Sequence, residues 1–241
     1  MKERVYNEDF NYTHNNPYHQ RLEEFNHFVL RDKEGEEARG NWNQEVFQRE
    51  APLALEIGTG YGHFMMDYCA KNPHLNFVGM DYRFKRSFQL AKKLDAHPTK
   101  NFKYLRARGE RITFLFGENE VDSLFYFFPD PWPKSRHHKK RLFQAPFLQS
   151  AYKILRPSGK FFIKTDHDDY AKWMLKALES DPHFDIEFKT LDLYGEHPDH
   201  FLASFSTKFE CIFKKQGIKI KALVLTSKKG INGPLGSERP H

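Results

Sequence analysis

The sequence predicts an α/β fold, and three features of the chain point to it. From residue 53 onward, short apolar runs of strand length alternate with amphipathic stretches of helix length. A glycine-rich turn, Gly58-Thr59-Gly60-Tyr61-Gly62, joins the first such run to a helical stretch. A later apolar run, Leu124 to Phe128, meets Pro129, Pro131 and Pro133, which forbid both helix and further ladder pairing. The chain therefore leaves the sheet there as a stiff, extended loop.

That loop carries Asp130 and Trp132 at the carboxyl end of a strand, where open α/β sheets place their ligands. Lys134, Arg136, Lys139, Lys140 and Arg141 follow at once, with His137 and His138 between them. An acid beside an aromatic, followed by a basic track, suits a site that holds a nucleobase while cations grip its phosphates. The same residues also suit a proline-stiffened connection followed by a solvated charge run.

At 241 residues the chain is long enough for one large α/β domain, or for one domain plus an arm. Hydrophobic residues make up 39%, and 24 phenylalanines among them allow a deep core. No apolar run approaches membrane-spanning length, and the first residues lack the apolar segment of a signal peptide. The expectation is a cytoplasmic protein with no membrane partner. Cys69 and Cys211 are far apart and match no zinc spacing, which agrees with a reducing compartment. A net charge of +6 points weakly to a polyanionic partner.

Residues 1–50 are polar and irregular, with Tyr6, Phe10, Tyr12, Tyr18, Phe28 and Trp42 scattered through them. They read as an arm lying on a main domain of residues 51–227. Within the arm, Arg21 to Leu30 has helical spacing, with Leu22, Phe25, Phe28 and Val29 on one face. Direct stacking of its aromatics on RNA is the alternative to packing.

Leu53 to Ile57 reads as the first strand of the main domain and His63 to Lys71 as the helix beyond the glycine loop. The next strand, Asn76 to Met80, ends at Asp81, 23 residues after Gly58, where an acid can accept hydrogen bonds from a ribose diol. Two features argue against a dinucleotide. The third glycine comes two residues after the second, unlike G-x-G-x-x-G, and Glu56 just before the loop would repel a pyrophosphate. Glu56 suits a ligand with positive charge. S-adenosylmethionine, with an ammonium, a sulfonium and a ribose but no phosphate, satisfies that demand better than NAD.

Phe84 to Leu94 reads as a helix, Phe102 to Arg106 as a strand and Glu110 to Phe116 as a short helix. After the Asp130 loop come a helix over Phe143 to Leu155, a turn at Arg156-Pro157-Ser158-Gly159 and a strand over Lys160 to Thr165. Asp166, His167, Asp168 and Asp169 follow. This cluster suits either a metal or, in the reading preferred here, an Asp168 or Asp169 cap on a helix running to Leu178, with Asp166 facing the same cleft as Asp130. No metal is expected. Phe184 to Lys189 is a strand, Leu193 to Phe205 a loop, and Thr207-Lys208-Phe209-Glu210 has capping-box spacing for a helix to Lys215. A last strand spans Ile218 to Thr226, and residues 228–241 read as a disordered tail.

Assembled, the motifs LEIGTGYG, GMDY, FPDPWPKSRHHKKR, the TD at 165–166 and TKFE resemble the bacterial tRNA (guanine-N7)-methyltransferases over roughly Pro52 to Thr226. The resemblance implies a class I methyltransferase fold, with a seven-stranded, mostly parallel sheet, helices on both faces and an antiparallel last strand. It also implies S-adenosylmethionine as methyl donor and a tRNA variable-loop guanine, position 46, as target. The carried-over donor-site positions are Glu56, the loop glycines Gly58 and Gly60, Asp81, Arg108 and Asp130. Asp130 is also the expected catalytic acid, and Lys134, Asp166, Thr207 and Glu210 match substrate-binding positions. One departure stands out: Arg108-Gly109 occupies the place where the family has Asp or Asn followed by Ala. The oligomeric expectation is a monomer or homodimer. Rival readings are a methyltransferase of the same fold acting on another RNA base or a protein, and an RNA-binding module without turnover.

Overall fold

The computed structural model describes residues 17–230. The expected aromatics at Tyr6, Phe10 and Tyr12 lie outside the described residues, as do residues 231–241 of the expected tail. Eight strands form one sheet: β1 (Val29–Arg31), β2 (Leu53–Ile57), β3 (Asn76–Met80), β4 (Phe102–Arg106), β5 (Val121–Phe127), β6 (Leu155–Thr165), β7 (Phe184–Thr190) and β8 (Lys221–Ser227). Their order is β1-β4-β3-β2-β5-β6-β8-β7. Strands β1 to β6 pair in parallel, and β8 runs antiparallel to both its neighbours, β6 and β7.

Alternation along the strands builds two cores, because successive side chains of a strand point to opposite faces. Leu53, Leu55 and Ile57 of β2 join Val78, Met80 and Ile163 on one face, under the helices Ala145–Ile154 and Asp168–Glu179. Ala54 joins Phe77, Phe125 and Phe127 on the other, under the helices His63–Lys71 and Phe84–Asp95. The second face is aromatic: Phe64 lies 4.8 Å from both Phe125 and Phe127.

The strand count differs from the seven expected, because the arm supplies an eighth. Its apolar residues Leu22, Phe25, Phe28 and Val29 are buried as anticipated. They do not form one helix, however. A short 3-10 turn over Leu22–Phe25, whose side chains three apart share a face, leads into β1. The pairing of β1 with β4 overrides local helical spacing: the Tyr104 amide donates to the Phe28 carbonyl at 2.9 Å. Beyond β1, Trp42 is fully buried, donates its indole N–H to the Leu115 carbonyl at 2.8 Å and stacks on Phe116.

Three further expectations are corrected. The turn expected at residues 156–159 is absorbed into β6, whose register with β5 jumps from Val121↔Leu155 to Ser123↔Lys160. The helix Asp168–Glu179 is capped by His167, whose Nδ1 accepts from the Tyr170 amide at 3.3 Å, while Asp168 pairs with Lys221 at 2.6 Å. Residues 193–205 are not a plain loop but contain the helical turns Leu193–Glu196 and Phe201–Ser204. The capping box at Thr207 and Glu210 forms as expected and starts the helix Lys208–Lys215.

Candidate active site

The glycine loop is fixed to the carboxyl end of β3 by its own amides. Gly58 and Thr59 both donate to the Met80 carbonyl, at 2.8 and 3.0 Å, and Gly60 donates to the Asp81 carboxylate at 3.1 Å. At Gly62 the backbone has φ +73°, and a Cβ there would lie 2.2 Å from a Leu90 methyl carbon. Only glycine lets the loop close onto the helix Phe84–Asp95 in this way.

A cleft of about 290 Å³ opens beside that loop, at the carboxyl ends of β2 to β5. Gly58, Asp81, Arg108, Glu110, Trp132 and the acid Asp130 are among the groups that line it. Asp81 is nearly buried, accepts from the Gly60 and Arg83 amides and lies 3.5 Å from the Arg86 guanidinium. Its carboxylate is thus fixed in orientation before any ligand arrives. Asp130 is more open, and its partner is Arg83 at 3.1 Å.

The loop that presents Asp130 is strained at both ends. Phe128 and Trp132 have φ of +51° and +44°, values that L side chains rarely adopt and that persist only where the surroundings impose them. Arg141 supplies part of that constraint. Its sequence position assigns it to the solvent-facing basic track, but it is 2% exposed. Its Nε donates to the Pro131 carbonyl at 2.8 Å, and its guanidinium lies 4.9 Å from the ring centres of both Tyr170 and Trp173. Lys134, Arg136, Lys139 and Lys140 do remain exposed, and Lys140 lies over the Trp132 ring at 4.5 Å.

Other sequence-selected residues lie around the cleft rather than on its wall. Glu56 shares the inner face of β2 with Ala54 and is 2% exposed. Burial pushes its carboxyl up to about 8, and its Oε2 has no hydrogen-bond partner. Asp166 is half-buried, and the Phe128 amide bond to the Lys164 carbonyl puts it at the strand end adjacent to that of Asp130. Its backbone carbonyl accepts from Lys221, but its side chain is not on the cleft wall. Lys134 is exposed on the loop.

Thr207 and Glu210 hold each other: the Thr207 hydroxyl accepts from the Glu210 amide, and the Glu210 carboxylate accepts from the Thr207 amide. Glu210 also takes hydrogen bonds from Lys164 and the Tyr194 hydroxyl. This enclosed carboxylate is largely used up by the protein itself. The helix it starts touches the site through ring contacts, Phe209 on Tyr61 and Phe213 on Phe128.

Sequence reasoning misses Tyr82, Arg83 and Arg86, all on the cleft wall. Tyr82 is 42% exposed and lies between two cations, with Arg108 4.9 Å and Arg83 5.8 Å from its ring centre. Their only signal is position directly after Asp81. Among the described residues there is no cluster of three or more His, Cys, Asp or Glu able to hold a metal, and no helix is long and apolar enough to cross a membrane.

Solved structures share this architecture. The 16S rRNA methyltransferase KamB matches with a TM-score of 0.56 at 19% identity, over 76% of this chain and 92% of that one. TrmN from Thermus thermophilus matches with a TM-score of 0.53 at 18% identity, over 73% of this chain and 44% of that one. A structure described as an antibiotic-related methyltransferase gives 0.51 at 16% identity, over 76% and 90%. At such identities the likeness shows the fold, that of the class I methyltransferases. The sequence profile of the family Methyltransf_4, described as "Putative methyltransferase", spans residues 50–223 and so includes the glycine loop, Asp81, the Asp130 loop and TKFE. With that span matched on this fold, the chain belongs to the Methyltransf_4 family, the family of the tRNA 7-methylguanosine methyltransferases.

Proposed function

We propose that the protein transfers a methyl group from S-adenosylmethionine to N7 of a guanine in tRNA, at position 46 of the variable loop. The observation that carries the reading is the pairing of two carboxylates, Asp81 and Asp130, on one cleft whose rim continues into the exposed cations of residues 134–140.

The residues fit the donor. Asp81 is pre-oriented by two backbone amides, leaving carboxylate lone pairs for a ribose diol. Glu56 has an unpartnered oxygen beneath the glycine loop, which suits an ammonium, and no lysine sits in the loop to select a phosphate. When bound, the donor supplies a methyl on a sulfonium, which guanine N7, having a free lone pair and no proton, accepts without a general base.

The chain then has three tasks. Its strand-end loops must align the base, and alignment at near-attack distance is worth several powers of ten in rate. Asp130, on a loop braced by Arg141, places negative charge where positive charge develops on the purine. Carboxylates also accept the N1–H and N2 amino protons that guanine alone presents together, and Asp130 and Asp166 are the candidates. Lys134, exposed on the loop, is the candidate for a phosphate or the guanine O6.

The test is to incubate the protein with radiolabelled S-adenosylmethionine and unmodified tRNA, digest the RNA and identify the labelled nucleoside. Label in 7-methylguanosine is expected. Label in another nucleoside, or in protein, transfers the reading to another target, and no transfer removes it.

A further inference from the structure

A second cationic surface borders the cleft, separate from the basic track, with Tyr61 of the glycine loop at its centre. The Lys208 ammonium lies 4.3 Å from the centre of that ring, the Arg86 guanidinium 5.4 Å and the Lys93 ammonium 5.9 Å. These cations come from two elements distant in sequence. Arg86 and Lys93, two turns apart, share one face of the helix Phe84–Asp95, and Lys208 opens the helix Lys208–Lys215. Phe209 adds an aromatic face 6.2 Å from Tyr61 that is 39% exposed.

Two of these three charges are not neutralised by the protein. Arg86 is matched by Asp81 at 3.5 Å. Lys93 and Lys208 are exposed, and neither makes an ion pair among the described residues. Their fields converge on one spot: the imidazole of neighbouring His63 is held below its ordinary range by burial first and then by both lysines. Two unmatched cations beside two aromatic faces form the kind of surface on which a nucleic-acid backbone lies while its bases or riboses stack. An acidic peptide would use the cations but not the rings.

We infer that the surface formed by Tyr61, Lys93, Lys208 and Phe209 is a second grip on the RNA backbone. Arg86 and Lys140 both line the cleft, so this patch and the track at residues 134–140 border the same opening. An RNA seated on both is clamped astride the cleft, with its target base over the entrance. The inference rests on the reading that the substrate is an RNA.

The experiment measures the affinity of the full chain for unmodified tRNA as a function of salt. Parent, Lys93→Ala and Lys93→Ala/Lys208→Ala are compared, and Arg86 is left intact because it touches Asp81. The slope of log affinity against log salt should shrink by about 0.7–0.9 for each lysine removed. In methylation assays KM for tRNA should rise, while kcat and the dissociation constant of S-adenosylmethionine hold. An unchanged slope in the double variant, with the parent binding and methylating tRNA, overturns the second grip and leaves the proposed function standing. A parent that fails to bind tRNA overturns both. A weakened affinity with no change of slope would make the patch a packing feature rather than a phosphate grip, and would overturn the inference as well.

Discussion

Lys164 and Glu210 form an enclosed ion pair, with Nζ 2.6 Å from Oε2 and both side chains 0% exposed. Lys164 also donates to the carbonyls of Leu202 and Phe205, and Glu210 receives the Thr207 amide and the Tyr194 hydroxyl. The pair fastens the helix Lys208–Lys215 to the end of β6, and through it fixes the ring of Phe213 against Phe128, at the start of the Asp130 loop.

Breaking that pair from one side should be severe. Lys164→Met leaves the Glu210 carboxylate buried without its counter-ion, a loss of about 3–5 kcal/mol. Adding Glu210→Gln to Lys164→Met should recover part of it. Urea unfolding of the three proteins reads both effects, and a single-variant loss below about 1 kcal/mol would show the pair to be solvated.

The Glu56 carboxyl gives a pH signature. Burial raises it from 4.5 to about 8, so the folded protein holds a proton there that the unfolded chain releases. The stabilising contribution of the neutral form is complete below about pH 4.5 and is lost progressively as pH rises to about 8. Glu56→Gln mimics the neutral form. Its stability relative to the parent should therefore climb across that window and level off above it, while donor binding weakens, because the amide has no proton to give up and cannot become a counter-charge when an ammonium arrives. Parallel stability curves for the two proteins would contradict this.

Asp130→Asn retains shape but removes the charge and one acceptor. Single-turnover methylation should fall by about 10²-fold, with S-adenosylmethionine affinity changing less. Rapid-quench assays at saturating tRNA decide it.

Arg141 and its neighbours should behave oppositely in one pair of measurements. Lys139→Ala/Lys140→Ala should reduce the salt slope of tRNA binding, by about 0.7–0.9 for each phosphate no longer gripped. Arg141→Ala should leave the slope unchanged and depress kcat, because it frees the Asp130 loop from its brace at Pro131. A shallower slope in Arg141→Ala would return that residue to the track.

Arg108 can only donate hydrogen bonds, whereas an acid in its place can accept from the adenine N6 amino group. It lies over Tyr82, so its removal vacates the cleft wall without disturbing a buried contact. Arg108→Asp should tighten S-adenosylmethionine binding by one net hydrogen bond, about 0.5–1.5 kcal/mol, or a few-fold. Weaker binding, with the circular dichroism spectrum intact, would show that the arginine itself contacts the donor.

Much of the site can be read along the chain because its determinants are local. The glycine loop, Asp81 at the end of β3 and the prolines around Asp130 each announce themselves within a few residues. The rest depends on pairings distant in sequence. The Val29–Arg31 segment is a strand only because β4 offers an edge, and nothing within it separates strand from helix. Arg141 looks like its charged neighbours until Tyr170 and Trp173 enclose it. Lys164 does carry a signal along the chain. A lysine in the apolar run of β6 calls for a buried acid, but only the fold selects Glu210 over the likewise buried Glu56.

The Val29–Arg31 strand also bears on how the protein can be trimmed. A fragment cut to residues 50–223 would keep every motif yet strip β1 from β4 and shorten β8 before Ser227. The Tyr104 amide and its neighbours would become an open ladder, beside a Phe102 ring that has lost its edge contact with Phe28. Exposed sheet edges of this kind recruit other chains. Such a fragment is therefore expected to self-associate, making the segment that precedes the glycine loop a guardian of solubility as much as a part of the fold.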